Sequence, residues 1–129
     1  MIEPIDVNEL LKKIEHGSGF DHDINTMVYS LIFGWSYPLT GDAFNDFMEN
    51  GGNYSGSFDA VDNLYSYLAE DLHYTGVGNM TWIDQQCWIE LMHGYVEKQY
   101  YKGHADSKAR AYLAALMRAW SDYKSRGIV

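Results

Sequence analysis

The C-terminal segment 104–127, HADSKARAYLAALMRAWSDYKSRG, constrains the fold more than any other part of the chain. Its apolar residues recur at intervals of three and four, the spacing that lines one face of an α-helix. They are Ala109, Tyr112, Leu113, Leu116, Met117 and Trp120. Asp106 is predicted to cap this helix and Gly127 to end it. Burial of the stripe would contribute roughly 10 kcal/mol, comparable with the net stability of a small domain. The helix therefore needs a partner surface.

Three segments upstream supply that surface, because they are rich in aromatic and β-branched residues. They span residues 80–83, 87–92 and 95–101, and the short links 84–86 and 93–94 separate them. Links of this length force antiparallel hairpins. The sequence therefore predicts a three-stranded antiparallel meander with the C-terminal helix across one face.

The N-terminal half reads as three capped amphipathic helices. The first is predicted over 7–15 after the cap Asp6, and the second from near Asp21 to Gly34. The third begins after Ser57, whose hydroxyl can cap it. These helices would cover the rest of the sheet, so the predicted fold is α+β, an α-β-α sandwich in one domain over residues 1–129.

Between the second and third helices, residues 34–56 lack a clear period and contain turn-forming Pro38 and Gly51–Gly52. The stretch is nevertheless rich in large apolar groups, so we predict an ordered loop with one helical turn at 43–48. One hypothesis is that the loop forms an aromatic pocket or interface, and the alternative is that its rings fill the core. The candidate binding residues are Trp35, Tyr37, Asn53 and Tyr54.

The charge of the chain argues against nucleic acid as a partner. The formal net charge is −9, whereas a phosphate-binding surface needs clustered lysine and arginine. An acidic chain of this kind suits solubility, a basic protein partner or imitation of DNA. Because the acidic residues are scattered, a plain solvated surface also explains them.

Residues with reactive side chains do not form a recognisable catalytic or metal-binding pattern. The five histidines are dispersed without HExxH spacing, and Cys87 is the single cysteine. Neither Gly51–Gly52 nor 76–78 has the lysine and hydroxyl of a phosphate-binding loop. We therefore predict a non-enzymatic protein with no catalytic residues, no metal and no cofactor.

The composition also indicates where the protein resides. The N-terminus lacks the basic and apolar regions of a signal peptide, and no apolar run is long enough to cross a membrane. A single cysteine suits a reducing compartment. We therefore expect a cytoplasmic protein with no membrane partner.

Four patterned segments follow one another along the chain: GSGFDHDINTMVYSLIFGW, YSGSFDAVDNLYSYL, the strand region and ADSKARAYLAALMRAW. Their order resembles the phage ABA sandwich domain, a group of small phage-encoded proteins of unknown function. The resemblance implies a phage or prophage origin, an α/β sandwich and a place in the infected bacterial host. It carries no functional residues over.

The order helix, three strands and helix is also similar to a double-stranded-RNA-binding domain. That family relies on phosphate contacts from the start of its second helix. This chain offers only Lys108 and Arg110 there, with Asp106 beside them, so the RNA-binding reading is disfavoured.

The predicted function is a binding or interaction module, directed at a host protein or a small-molecule ligand. One alternative is a sponge that sequesters a small signalling nucleotide used in anti-phage defence. Another is a small hydrolase-type enzyme, which would need a cleft lined by converging acids or histidines. The surplus of aromatic residues leaves room for a homodimer.

Overall fold

The computed structural model describes residues 5–71, 80–83, 86–91 and 99–125. Within those residues the chain forms helices and strands in an α+β arrangement, as predicted. The elements in chain order are α1 Val7–His16, α2 His22–Phe33, α3 Asp42–Asn50, α4 Phe58–Asp71, β1 Met80–Ile83, β2 Gln86–Leu91, β3 Gln99–His104 and α5 Lys108–Ser125. None of the helices in this part of the chain combines the length and apolar character that crossing a membrane requires.

The N-terminal caps lie where the sequence places them. The Asp6 carboxylate accepts from the amide of Asn8 at 2.9 Å, and the Asp21 carboxylate accepts from the amide of Ile24 at 3.2 Å. The Ser57 hydroxyl accepts from the amide of Ala60 at 3.2 Å and so starts α4. These bonds satisfy amides that the first turn of a helix leaves without partners, which confirms the three predicted starts.

The segment predicted as a loop contains a helix of nine residues, α3. This helix is longer than the single helical turn predicted at 43–48. Neither glycine nor proline interrupts the sequence from Asp42 to Asn50. Phe47 on this helix is buried, and its ring lies 5.3 Å from that of Tyr29 in an edge-to-face contact. The tertiary contact therefore stabilises a helix of only nine residues, which is too short to be stable by itself.

The sheet has the order β1-β2-β3, and both pairings are antiparallel. Met80 pairs with Ile89 across the first ladder, and Cys87 pairs with Gly103 across the second. The third strand is described over Gln99–His104, so it overlaps the predicted 95–101 at 99–101 and continues to His104, while 95–98 lie outside the described residues. Apart from Gln86, which belongs to β2, the predicted links at 84–86 and 93–94 lie outside the described residues.

Helix α5 begins later than predicted. Ser107 rather than Asp106 caps it, since the Ser107 hydroxyl accepts from the amide of Arg110 at 3.2 Å. His104, the predicted start of the segment, is the last residue of β3. Residues 105–107 are needed to turn the chain from strand to helix, and Gly127 lies outside the described residues.

Helix α5 occupies the centre of the molecule. Twelve of its eighteen residues are buried, which is more than one stripe, because α5 contacts β2 and β3 as well as α1 and α4. Among the described residues, α5 thus lies between the sheet and the N-terminal helices, whereas the predicted sandwich had helices on both faces of the sheet. The alanines between the larger residues make this close burial feasible.

The approach of α5 to β3 is closest at Gly103. A Cβ atom added there would overlap the carbonyl oxygen of Ala111 and lie 2.8 Å from the amide nitrogen of Ala115. The helix backbone therefore rests on the strand backbone, with space for a hydrogen atom only.

A buried guanidinium joins α5 to the end of α1. Arg110 is 1% exposed, and its Nη1 donates to the carbonyls of Lys13 and Ile14 at 2.9 and 3.1 Å. Its Nε and Nη2 donate to the carbonyl of Gly19 at 3.1 and 2.9 Å. Burial lowers the pKa of Arg110, while the negative charges of Asp21 and Asp106 oppose that shift. The cation complements the partial negative charge at the C-terminus of α1.

A second polar contact joins α1, β3 and α5. The two amino groups of Arg118 donate to the Glu15 carboxylate at 2.8 and 2.5 Å, and the amide of His104 donates to the same carboxylate at 2.9 Å. Burial favours a raised pKa for Glu15, but the hydrogen bonds from Arg118 and His104 outweigh it and lower the pKa below the ordinary value.

Replacing Arg110 with methionine should lower the free energy of unfolding by about 3 kcal/mol, because the buried bond to the carbonyl of Ile14 and the part-buried bonds to those of Lys13 and Gly19 are lost. Urea denaturation measures the change. Lys12→Met removes an exposed lysine and should cost less than about 0.5 kcal/mol. Equal losses in the two variants would contradict the role given to Arg110.

Gly103→Ala should destabilise the protein by about 3 kcal/mol or more, because the added methyl group meets main-chain atoms that no rotamer change can move. Gly34→Ala is the matched control: Gly34 has a φ of +75° and nothing within 4 Å of an added Cβ. It should cost only about 1 kcal/mol of backbone strain. Thermal and urea unfolding of both variants would rank them, and the reverse order would be inconsistent with the close packing.

Candidate binding site

A cavity of about 350 Å³ opens where the ends of α2 and α3 meet the side of α4. Its volume falls in the range of small-molecule sites in proteins. Its walls come from the last residue of α2, the end of α3, the segment 51–54 and one face of α4. The lining residues are Phe33, Asn50, Gly51, Gly52, Tyr54, Ala60, Asn63, Leu64 and Tyr67.

Two glycines after α3 bring the chain close to that wall. A Cβ on Gly51 would lie 2.6 Å from the carbonyl oxygen of Phe47, and one on Gly52 would lie 3.2 Å from the ring of Tyr54. The pair Gly51–Gly52, which the sequence indicates as a turn, thus also has a packing role. It lets the backbone pass over Phe47 and Tyr54 and form one side of the cavity.

Aromatic rings make up the apolar part of the lining. Tyr54 is 4% exposed, whereas Tyr67 is 46% exposed. The rings of Phe33 and Tyr67 meet at 40° with their centroids 4.9 Å apart. Tyr29 lies behind Phe33, with ring centroids 4.5 Å apart, and connects the cavity wall to the core. The cavity therefore has a fixed aromatic wall and a tyrosine accessible from solvent.

The polar groups of the lining are two side-chain amides, Asn50 and Asn63. Asn50 donates from Nδ2 to a carboxylate oxygen of Asp46 at 3.2 Å. Asp46 in turn accepts from the hydroxyl of Tyr29. The amide of Asn50 is thus oriented by a carboxylate one layer behind the cavity.

Among the described residues that line this cavity, none is an aspartate, glutamate, histidine, lysine, arginine, serine or cysteine. Burial raises the pKa of Tyr54 to about 12, and a backbone hydrogen bond from Gly52 opposes the shift, so this hydroxyl is neutral near pH 7. The described lining can bind by ring contact and hydrogen bonding.

The four candidate residues from the sequence lie at different places. Tyr54 lines the cavity. Asn53 accepts from Asn25 Nδ2 at 3.2 Å and from the amide of Gly56 at 3.0 Å, which holds the turn in shape. Tyr37 lines a separate, smaller cavity of about 160 Å³ against α1 and α2, and Trp35, 39% exposed, lines neither.

Sequence reasoning missed Phe33, Asn63 and Tyr67 because they lie on α2 and α4, outside the segment 34–56. It also missed Asn50, which lies inside that segment at the end of α3. Tyr67 carried a signal: it falls outside the apolar stripe of α4, which contains Val61, Leu64 and Leu68. Its ring is 46% exposed, so it is accessible to a ligand from solvent.

Other groups with reactive chemistry lie elsewhere. Cys87 is fully buried in β2, and burial raises the pKa of its thiol to about 11, so it is a structural residue. His22 contacts the ring of Phe47 edge-on. In the described ranges, no group of three or more histidine, cysteine, aspartate or glutamate side chains could hold a metal ion.

Comparison with known proteins adds no relative: no family model, no curated protein and no solved structure matches the chain. The functional argument therefore rests on the cavity itself.

The raised pKa of Tyr54 predicts a loss of stability in alkali. The hydroxyl titrates near 10 in the unfolded chain and at about 12 in the folded one, so its contribution is complete below pH 10 and declines as the pH rises toward 12. Urea unfolding between pH 9 and 11.5 should give a shallower decline for Tyr54→Phe than for the parent. Tyr100→Phe, at an exposed position, should follow the parent. Parallel declines for parent and Tyr54→Phe would contradict the burial effect.

Proposed function

We propose that the protein is a non-enzymatic binding module and that the cavity between α2, α3 and α4 is its ligand site. The observation that carries the proposal is the combination of aromatic rings, two amides and a pocket-sized volume in one place. Rings supply contact area at little conformational cost, and the amides give direction.

The composition of the lining distinguishes the binding module from the two alternative functions, a nucleotide sponge and a hydrolase. A nucleotide sponge needs cations to meet the phosphates, and none of the described lining residues is a lysine or arginine. A hydrolase needs converging acids or histidines, and the part of the lining that the structure describes has neither. A binding module needs neither.

The resemblance to the phage ABA sandwich domain extends the proposal to a biological setting. In that setting the module is a phage or prophage protein that binds a host factor in the bacterial cytoplasm. The net charge of −9 supports a partner with a basic surface.

A fragment screen followed by ¹⁵N–¹H NMR tests the ligand site. Hits should shift the amide signals of Gly51, Gly52 and Asn63. Tyr67→Ala should lower the affinity of these hits roughly tenfold, because it removes a contact worth about 1.4 kcal/mol. Tyr100→Ala is the matched control, since Tyr100 is 67% exposed and lies on β3. Hits that shift other surfaces, or that bind Tyr67→Ala as tightly as the parent, would refute the assignment.

A further inference from the structure

The charge around the cavity indicates which kind of ligand it selects. The chain has 18 acidic and 9 basic residues, so its overall field attracts cations and repels anions. The residues of the lining that the structure describes include no cationic side chain that would repel a positive ligand. An uncharged aromatic site in a strongly acidic protein is therefore accessible to organic cations.

Three rings border this space, from Phe33, Tyr54 and Tyr67. The face of an aromatic ring carries partial negative charge and attracts an ammonium or guanidinium group. The rings of Phe33 and Tyr67 lie against each other, with centroids 4.9 Å apart and a 40° tilt, so a cation does not fit between them. Tyr67 is 46% exposed, and its ring is the one that a cation entering from solvent can contact.

The amide of Asn50 adds a hydrogen-bond acceptor. Its Nδ2 is engaged by the main-chain carbonyl and the carboxylate of Asp46, at 3.3 and 3.2 Å. The carbonyl oxygen of the amide lies on the opposite side of the same group. The Asp46 carboxylate contributes negative charge behind it, which also favours a cationic ligand.

The protein already makes this type of contact with its own lysines elsewhere. The ammonium of Lys108 lies 4.7 Å from the ring centroid of Phe58, and that of Lys124 lies 4.8 Å from the ring of Trp120. Those rings lie outside the cavity lining.

We propose that the cavity binds the alkylammonium head of a lysine or methylated lysine on a basic segment of a partner protein. This inference rests on the proposed function and specifies its ligand. Charge complementarity with the acidic chain selects a basic protein segment over a neutral one, and the rings select its cationic side chain.

The first experiment compares choline with 3,3-dimethylbutan-1-ol, which has the same shape and no charge, by NMR titration of the intact protein. Choline should bind roughly tenfold more tightly or better, and added salt should reduce the difference. Tyr67→Phe should retain the preference and Tyr67→Ala should lose it, with melting curves confirming that both variants fold.

The second experiment identifies the source of the cation. Short peptides with lysine, trimethyllysine or norleucine at one position are titrated in the same way. Tighter binding of either cationic peptide than of the norleucine peptide, with shifts at Gly52 and Asn63, supports the proposal. If choline binds more tightly than its neutral isostere but the three peptides bind equally, the proposed protein partner is wrong. The ligand would then be a free quaternary ammonium compound.

The outcomes also separate this inference from the proposed function. Equal binding of choline and its neutral isostere at the cavity would overturn cation selection and leave the binding module intact. No shift at the cavity with any of these probes would overturn cation selection. If no hit of the fragment screen shifts the cavity amides either, the proposed function is also wrong.

Discussion

The arrangement of the helices depends on one buried cation, the guanidinium of Arg110. Within the described ranges its hydrogen bonds go to no carboxylate but to the main-chain carbonyls of Lys13, Ile14 and Gly19. A charge in such a place is favourable only if every donor is matched, so the position of α5 fixes the end of α1 and the start of the segment leading to α2. Because α2 forms a wall of the cavity, the site depends indirectly on the same interaction.

Features fixed by neighbouring residues could be predicted from the sequence. The caps Asp6, Asp21 and Ser57 each act over two or three residues, so a short motif was enough to locate the helix starts. Features fixed by distant contacts could not. Helix α3 depends on Phe47 meeting Tyr29, and the central place of α5 depends on partners on opposite sides. Arg110 looked like a basic residue at a helix start, because its acceptors lie more than ninety positions away.

The candidate site was predictable only in part, for the same reason. Aromatic density in 34–56 drew attention to Tyr54, which does line the cavity. The opposite wall comes from Phe33, the last residue of α2, and from Tyr67, which lies outside the apolar stripe of α4. Only the tertiary fold brings these two rings to 4.9 Å from each other, and a single sequence carries no record of that distance. Asn53, in contrast, belongs to the turn rather than to the ligand site.

The contact at Gly103 has a consequence for how the chain can vary during evolution. Most tight contacts in a core can be relieved by shrinking the opposing side chain, so the two positions can change together. Here the opposing atoms are the carbonyl of Ala111 and the amide of Ala115, which every amino acid carries. No second substitution can compensate, and descendants that keep a helix across this strand must keep the glycine. A glycine four residues before a serine-capped, alanine-rich helix is thus a marker by which distant relatives could be recognised after the rest of the sequence has diverged.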